Sequence, residues 1–218
     1  MPRPDRLVVV AGTGTEVGKT WVAAQVLGTL RSSGTVVSAR KPAQSFDPDD
    51  PHPTDAEVLA AATGEPAGEI CGDSLSYPIA LCPPMAAEAL GRPVPTLADL
   101  VAACWWRAPA PGIGVVELAG GLRSPQAGDG DGVSVIESLA PDAVLLVADA
   151  ELGTVNSVRL SVSALGPARP VLVVLNRYRK TDPVHRRNRE WLADRDGFTV
   201  ATTVEAASAW LTMLTRRG

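Results

Sequence analysis

The sequence predicts an α/β fold, a three-layer sandwich in which a central, mainly parallel sheet carries helices on both faces. Continuous apolar runs alternate with stretches of helical spacing, the pattern of parallel strands that are buried on both faces. The runs occupy residues 7–11, 35–39, 113–118, 142–149 and 170–176. The first run enters a helical pattern through a glycine-rich loop. A length of 218 residues suits one α/β domain, so we expect a single domain over 1–218.

The remaining segments predict helices and one irregular region. Ten of the 19 prolines fall between Pro42 and Pro95, which excludes a long helix or a central strand through most of that region. Thr54 and Thr96 are suitable N-caps because a hydroxyl can accept the first free helical N–H groups. The predicted helices cover 21–30, 55–64, a short stretch after Pro84, 96–106, 157–165, 188–194 and 205–214.

The loop at 11–20, AGTGTEVGKT, has the composition of a phosphate-binding loop. Glycines such as Gly14 and Gly18 let backbone amides converge on an anion, and a helix that starts at Gly18 adds its dipole and its free N–H groups. Lys19 can neutralise terminal phosphates, and the Thr20 hydroxyl can ligate magnesium. The alternative is a tight turn that happens to contain a lysine, but strand, loop and helix agree on nucleotide binding.

The spacing of this loop departs from the usual GxxxxGK[ST] pattern. Thr13 stands where the first glycine is expected, and the glycines are Gly12 and Gly14. Five residues therefore separate Gly12 from Gly18, and the loop is a variant form.

Three acids are candidates for holding the metal that usually accompanies a triphosphate. Magnesium prefers hard oxygen ligands, so a carboxylate is expected beside Thr20. Glu117 and Asp149 each end an apolar run, and Asp55 begins a predicted helix. Each can equally be a solvated acid. Lys41, after the second strand, is either a second cation of the site or an ordinary surface lysine.

Composition excludes several classes of partner. A net charge of -4 gives no electrostatic reason to expect nucleic acid. No apolar run reaches the roughly 18 residues of a membrane span, and the N-terminus does not resemble a signal peptide, so we expect a cytoplasmic protein without membrane contact. The three cysteines lack the spacing of a zinc site or a disulfide framework, and we interpret them as reduced thiols.

Five motifs, in order along 6–177, resemble those of dethiobiotin synthetase, an ATP-dependent enzyme of biotin synthesis. They are GTGTEVGKT at 12–20, KPAQS at 41–45, TDA at 54–56, VELAGG at 116–121 and ELGTVNS at 151–157, and Asn176 also fits. The resemblance implies a P-loop NTPase-like fold with a seven-stranded sheet, a homodimer, and a ligase reaction. That reaction closes a ureido ring on 7,8-diaminononanoate with carbon dioxide, ATP and Mg²⁺, through a carbamate and a carbamic-phosphoric anhydride.

The resemblance also implies roles at matching positions. Lys19 and Lys41 are the catalytic cations. ATP contacts are implied for Gly14, Thr15, Glu16, Val17, Gly18, Lys19, Thr20 and Asn176. The diamine or its carbamate is expected at Thr15, Lys41, Ser45 and Gly121, and the metal at Thr20, Asp55 and Glu117.

The chain departs from the family pattern at two places. Leu118 replaces a glycine beside Glu117, so we expect its bulk to affect substrate fit. The C-terminal part lacks the family's proline-containing base-binding loop, and Val204 and Glu205 are the nearest candidates.

Four further features have structural interpretations. The segment GDGDG at 128–132 is interpreted as a flexible loop rather than a calcium site. The basic cluster at 177–189 is interpreted as a solvated face because acids lie near it. His52 and His185 are expected at the surface, and the tryptophans are expected in core or dimer packing.

Two other functions remain open on sequence grounds. One is a related P-loop amide ligase with another substrate, although such enzymes usually carry a glutaminase domain. The other is a ParA or MinD-like nucleotide switch, although those proteins carry an extra lysine early in the loop, where this chain has Thr13 and Gly14.

Overall fold

The computed structural model describes residues 2–215 and contains a six-stranded parallel sheet covered by helices on both faces. The order across the sheet is β10-β9-β8-β1-β5-β2, so the phosphate-loop strand β1 lies between β5 and β8. All five pairings within it are parallel, and its carboxyl ends meet at one edge. The strands are β1 Arg6–Gly12, β2 Val37–Arg40, β5 Ile113–Glu117, β8 Ala143–Asp149, β9 Val171–Asn176 and β10 Thr199–Ala201.

The five predicted apolar strands are confirmed, and the sheet differs from the expected seven strands. The sixth strand, β10, has only three residues and too little apolar pattern to be recognised in the sequence. The remaining strands have two or three residues each and lie outside this sheet. They form two small sheets, β3 Gln44–Ser45 with β4 Ser76–Tyr77 and β6 Pro125–Ala127 with β7 Gly130–Asp131.

Nine α-helices lie in the described part of the chain, residues 2–215. Asp73–Leu75 forms a single 3₁₀ turn, and Trp191–Arg195 continues α8 as a π-helical turn. The α-helices are α1 Lys19–Ser32, α2 Asp55–Thr63, α3 Ala67–Ile70, α4 Pro83–Ala89, α5 Leu97–Ala103, α6 Gly132–Leu139, α7 Thr154–Leu165, α8 Pro183–Glu190 and α9 Val204–Thr215.

Both predicted threonine caps are present as capping boxes. The Thr54 hydroxyl accepts the N–H of Glu57, whose carboxylate accepts the N–H of Thr54. Thr96 and Asp99 make the same reciprocal pair. These contacts satisfy N–H groups that a helix start leaves free. Because a capping box joins residues only three positions apart, the sequence alone could predict where these two helices start.

The helix predicted at 96–106 is shorter than expected, and two tryptophans that were expected within it lie beyond its end. Helix α5 stops at Ala103, and Trp105 and Trp106 lie in the following irregular segment. The Arg40 guanidinium carbon lies 5.1 Å and 4.8 Å from their ring centroids. A tertiary contact with a buried arginine therefore decides where these rings lie.

Two hydrophobic clusters, one on each face of the sheet, form the core. Successive residues of β1 alternate between them, with Val9 in one cluster and Val10 in the other. Helices α1, α2 and α9 supply one cluster, and α4 to α7 supply the other. The strands read as continuous apolar runs because both of their faces are covered.

The segment at 128–132 was expected to be a flexible loop, and this is wrong. It completes the β6–β7 hairpin and starts α6, where the Asp131 carboxylate accepts the Ser134 N–H. The Asp129 carboxylate accepts the Leu97 N–H at 2.7 Å. The two aspartates accept N–H groups at the starts of α6 and α5, and the contact of Asp129 depends on a residue far away in the chain.

His185 differs from expectation, and the tryptophans divide into buried and exposed ones. His185 is fully buried, and its Nδ1 accepts the Arg179 N–H at 2.9 Å, whereas His52 is exposed as expected. Trp106 is buried, but Trp21 and Trp191 are about half exposed, at 53% and 49%. Core packing therefore explains Trp106 and does not explain Trp21 or Trp191.

Within residues 2–215, no helix has both the length and the hydropathy needed to cross a bilayer.

Gly132, at the start of α6, allows a close approach to the strand that carries the predicted acid. A Cβ at Gly132 would collide with the carbonyl oxygen of Leu122 and come within 3.3 Å of Leu118 Cδ1. Leu118 itself is 1% exposed within the hydrophobic cluster. Leu118 and Gly132 are therefore complementary in size.

We expect Gly132→Ala to lower the free energy of unfolding by about 2 kcal/mol, because the added methyl group must displace backbone in a packed core. Urea unfolding followed by circular dichroism measures this change. Gly28→Ala is the matched control, because Gly28 is within α1 and nothing lies within 4 Å of its added Cβ. That change should stabilise by about 0.5–1 kcal/mol through helix propensity. Equal effects of the two substitutions would contradict this assignment of the α6 packing.

Candidate functional site

A cavity of about 1080 Å³ opens at the carboxyl edge of the sheet, where the phosphate loop meets the ends of β2 and β5. Ligand sites in open α/β sheets are found at this edge because loops, not strands, cover it. The cavity is bordered by the phosphate loop, by the 44–55 segment, by residues 80–85 and by the turn after β5. Predicted site residues among its lining are Thr15, Glu16, Gly18, Lys19, Thr20, Lys41, Ser45 and Asp55.

The phosphate loop is built by backbone contacts that glycine permits. A Cβ at Gly12 would come within 2.9 Å of both the Gly14 carbonyl oxygen and Lys19 Cδ. Gly18 is left-handed, with φ of 88°, and caps α1. Lys19 Nζ donates to the Gly14 carbonyl oxygen at 3.1 Å, so its ammonium lies over the loop. The variant spacing therefore still forms a loop that leads into a helix N-terminus, which suits an anion.

Asn176, at the end of β9, is tied to this loop. Its Nδ2 donates to the Val17 carbonyl oxygen at 3.0 Å, and a Cβ at Gly18 would collide with that same amide nitrogen. The side chain is 8% exposed. Asn176 thus lies against the loop beside Gly18, and its amide oxygen is not used in this contact.

Thr20, Asp55, Glu117 and Lys41 form one hydrogen-bonded cluster. The Thr20 hydroxyl lies 2.7 Å from both Asp55 Oδ1 and Glu117 Oε1. Lys41 Nζ lies 2.6 Å from Asp55 Oδ2 and 2.7 Å from Glu117 Oε1. The four residues come from α1, α2, β5 and the end of β2, so only the assembled fold brings them together. Lys41 is 1% exposed, which excludes an ordinary surface lysine.

Burial and pairing shift the pKa values of this cluster. Burial alone would lower the pKa of Lys41, but the carboxylates of Glu117 and Asp55 outweigh it and raise that pKa above its ordinary value. Burial raises the pKa of Glu117, although Lys41 acts against it. Lys41 also outweighs burial at Asp55 and lowers the pKa of that carboxyl. Burial and then the nearby Lys41 lower the pKa of Lys19, and an anion beside Lys19 would favour its charged form.

The cluster has unused capacity for a cation. Glu117 Oε2 is buried and has no hydrogen-bond partner within the described structure, and Asp55 remains 40% exposed toward the cavity. No group of three or more His, Cys, Asp or Glu side chains suited to a metal occurs within residues 2–215. A cation here would therefore take oxygen ligands from one hydroxyl and two carboxylates, and it would complete its shell with water or phosphate oxygens, as magnesium does.

The third candidate acid lies elsewhere. The Asp149 carboxylate accepts the Glu151 N–H at 3.1 Å and caps the turn after β8, and Asp149 does not line the cavity. Strand-end position made Asp149 and Glu117 equivalent in the sequence. Strand order separates them, because β5 and β8 flank β1 on opposite sides.

The remaining predicted positions border the cavity or support its wall. Thr15 is exposed in the loop, and the Ser45 hydroxyl donates to the Leu81 carbonyl oxygen at 2.5 Å. A Cβ at Gly121 would lie 3.2 Å from Gly14 Cα, so Gly121 lets the turn after β5 approach the phosphate loop.

The two departures from the family pattern do not enter the cavity. The Leu118 side chain is buried in the core and is not among the lining residues, so its bulk does not face the cavity. Val204 and Glu205 lie in the first turn of α9 and are not among the lining residues. Only two residues, Thr202 and Thr203, join β10 to α9, so that connection is too short to reach over the cavity.

Gln44 and Arg177 are among the lining residues that were not predicted from the sequence as site residues. Gln44 is 5% exposed, and its Oε1 accepts the Ala56 N–H at 2.9 Å beside Asp55. Arg177 has φ of 55° and follows Asn176 directly. Gln44 lies within the motif KPAQS and could have been found there, but Arg177 had only its place in a basic cluster.

Some known proteins are similar to this chain in sequence, and others are similar to it in fold. A family model described as an AAA domain matches residues 6–209. Solved structures similar in fold include a plasmid partition protein from Borrelia burgdorferi, with a TM-score of 0.59 and 16% identity over 98% of this chain and 99% of that one. The cell division protein FtsY of Thermotoga maritima gives 0.56 and 17% over 94% and 64%. At such identities the likeness concerns the fold alone.

Three curated relatives are more similar in sequence, and each of them is named an ATP-dependent dethiobiotin synthetase. The protein from Haloferax mediterranei is 39% identical over 197 residues, which cover 88% of this chain and 81% of that protein. The one from Anaeromyxobacter dehalogenans is 41% identical over 162 residues, 73% and 70% of the two chains. The one from Caulobacter vibrioides is 36% identical over 159 residues, 72% of each. With this similarity over most of both lengths, and with four of the five motifs contributing residues to one cavity, the chain belongs to the dethiobiotin synthetase family.

Proposed function

We propose that this protein is an ATP-dependent ligase that forms dethiobiotin from 7,8-diaminononanoate and carbon dioxide. The observation that carries the proposal is the buried Lys41, which the carboxylates of Glu117 and Asp55 hold at the mouth of the phosphate loop. A cation fixed in this way, with its charge favoured by its partners, needs no reorganisation when negative charge develops beside it.

The reaction needs positioning more than covalent help from the protein. An amine of the substrate adds to carbon dioxide and releases a proton, which gives a carbamate. A carbamate oxygen attacks the γ-phosphorus, and the bond to the ADP oxygen breaks. The second amine then attacks the carbamoyl carbon of the mixed anhydride, releases inorganic phosphate and closes the ring. In-line transfer of this kind depends on orientation and on charge neutralisation.

The residues of the cavity are assigned to these steps as part of the proposal. Lys19 and the amides of 14–20 hold the β- and γ-phosphates, and Asn176 faces the base with its amide oxygen. Glu16 approaches the ribose from the exposed part of the loop. Lys41 neutralises the carbamate and the transferring phosphoryl group. Thr15, Ser45 and Gly121 border the acceptor.

Magnesium is assigned to Thr20, Asp55 and Glu117. The unpartnered Glu117 Oε2 and the partly exposed Asp55 carboxylate support this assignment because both offer hard oxygen atoms next to the phosphate loop. When bound, the ion neutralises charge on the phosphate oxygens as the leaving group departs.

We further propose a homodimer in the cytoplasm. Leu152 and Leu160 are 89% and 65% exposed on the segment after β8, which suits burial against a second copy. The three free cysteines suit a reducing compartment.

The assay of the function is direct. Purified protein with diaminononanoate, bicarbonate, MgCl₂ and ATP should release phosphate and form dethiobiotin in equal amounts, detected by mass spectrometry. Omitting the diamine should abolish phosphate release. A folded protein that hydrolyses ATP slowly and is indifferent to the diamine would contradict the ligase and favour a nucleotide switch.

Replacement of the buried lysine should lower both the turnover and the stability of the enzyme. Lys41→Met should lower kcat about a hundredfold or more through loss of one preorganised charge. It should also lower the free energy of unfolding by about 3 kcal/mol, because Glu117 then lacks its buried partner. Assays at a temperature where the variant remains folded keep the two effects apart. Lys180→Met, at an exposed position, is the control and should retain wild-type turnover and stability.

The metal assignment distinguishes two acids that were equal candidates in the sequence. Asp55→Asn should raise the Mg²⁺ concentration for half-maximal velocity roughly tenfold or more, since the site loses a charged ligand. Titration calorimetry of Mg²⁺ into protein with a non-hydrolysable ATP analogue measures the same loss without turnover. Asp149→Asn should leave both values unchanged. The reverse ranking of the two variants would overturn the assignment.

A further inference from the structure

The turn after β5 is held by one buried side chain, that of Gln126 in β6. Gln126 is 1% exposed. Its Oε1 accepts the Ala119 N–H at 3.1 Å, and its Nε2 donates to the Ala119 carbonyl oxygen at 2.7 Å. One primary amide thus satisfies both polar backbone groups of Ala119, as a neighbouring strand would do.

This turn forms a wall of the cavity. Ala119, Gly120 and Ser124 are among the lining residues, and Gly120 is left-handed with φ of 61°. The turn closes on itself, because the Gly121 N–H donates to Ser124 Oγ at 3.0 Å and the Ser124 N–H donates to the Gly121 carbonyl oxygen at 2.9 Å. Gln126 Nε2 also lies 3.3 Å from the Ser124 carbonyl oxygen, so its amide reaches both ends of the turn.

The same turn also touches the phosphate loop at one edge. The Leu122 N–H donates to the Gly12 carbonyl oxygen at 2.9 Å, and the space for a Cβ at Gly121 is limited by Gly14. A Cβ at Gly120 would meet Ser124 Oγ at 2.9 Å and lie 3.9 Å from Thr15 Oγ1. The wall therefore ends next to Thr15, on the side assigned to the acceptor.

We propose that Gln126 is a positioning residue that fixes the turn 119–124 and so sets the fit of the acceptor substrate. The inference rests on the proposed ligase function, because it identifies the acceptor as the ligand beside this wall. Gln126 itself is absent from the lining residues, so it acts through Ala119 and Ser124. An apolar side chain at this position would leave two buried backbone groups of Ala119 without partners, and the turn would have to move to find others.

The phosphate loop has separate anchors that do not involve Gln126. The Thr13 N–H donates to the Val147 carbonyl oxygen at 2.9 Å, and Asn176 supports Val17. A change at Gln126 should therefore affect acceptor binding more than nucleotide binding. This difference separates a positioning role from a purely structural one.

The test compares Gln126→Leu with the wild-type enzyme. We expect KM for the diamine to rise about tenfold because the wall beside the acceptor shifts, while the Kd of an ATP analogue stays within about twofold. In Gln126→Glu, burial favours the protonated carboxyl, which keeps an acceptor for the Ala119 N–H and one donor for the Ala119 carbonyl but loses the second N–H of the amide, so its KM should lie between those of the wild type and Gln126→Leu. This second variant decides the question if Gln126→Leu does not fold.

Val135→Ala is the matched control for lost stability. Val135 is fully buried in α6, in the hydrophobic cluster that also contains Leu122 and Ala127. Its truncation removes packing without removing a hydrogen bond of the turn. It should lower the melting temperature and leave KM for the diamine unchanged. A diamine KM that is unchanged in the Gln126 variants, or that rises equally in Val135→Ala, would overturn the positioning role.

Hydrogen exchange gives a reading that does not depend on catalysis. In Gln126→Leu, the peptide that covers 116–124 should exchange faster than in the wild type, while the peptide that covers 11–20 should keep its rate. Unchanged exchange in 116–124 would overturn the inference even in an active enzyme. Absence of ligase activity in the wild type, with faster exchange in the variant, would instead contradict the proposed function and retain Gln126 as the anchor of the turn.

Discussion

The structure of the site depends on one buried ammonium group between two carboxylates. Lys41 is 1% exposed and lies within 2.7 Å of oxygen atoms from both Glu117 and Asp55. Neither Lys41 nor the fully buried Glu117 could stay charged alone at this depth, because the cost of removing an isolated charge from water is several kcal/mol. Each requires the other, and this mutual requirement joins the ends of β2 and β5. Thr20 extends the cluster to the first turn of α1.

Around that cluster, glycines allow the backbone segments that border the cavity to pack closely against each other. Gly12 lets the phosphate loop fold closely on itself, and Gly121 lets the turn after β5 approach that loop. Gln44 and Gln126 then fix the two sides with their amides, one at the N-terminus of α2 and one at Ala119. Both glutamines are buried, and each uses its amide oxygen and its amide nitrogen in hydrogen bonds, so they order loops that would otherwise move.

The fold by itself is shared by proteins with different names, such as a plasmid partition protein and FtsY, at 16% and 17% identity. Function must therefore be argued from the site. The phosphate loop has Thr13 and Gly14 at the positions where a ParA or MinD-like switch is expected to carry an extra lysine. The cavity also continues beyond the phosphate loop to Ser45 and residues 80–85. This additional space suits a second substrate, which a nucleotide switch does not require. The curated relatives agree with the ligase.

The sequence alone determined whatever is specified by local pattern. Apolar runs predicted five of the six central strands, hydroxyl caps predicted the starts of α2 and α5, and the order of glycines, Lys19 and Thr20 predicted the phosphate loop. Strand-end position alone did not distinguish Asp149 from Glu117, and only the family motif around Glu117 favoured that acid. In the structure, the strand order separates the two. The sequence also placed His185 at the surface and did not show which way the Leu118 side chain points, and in the structure both side chains are buried. Their surroundings come from residues distant in the chain. Periodicity and capping act over a few residues, whereas burial, pairing of charges and the direction of a side chain depend on which elements pack together, and only the tertiary structure decided those.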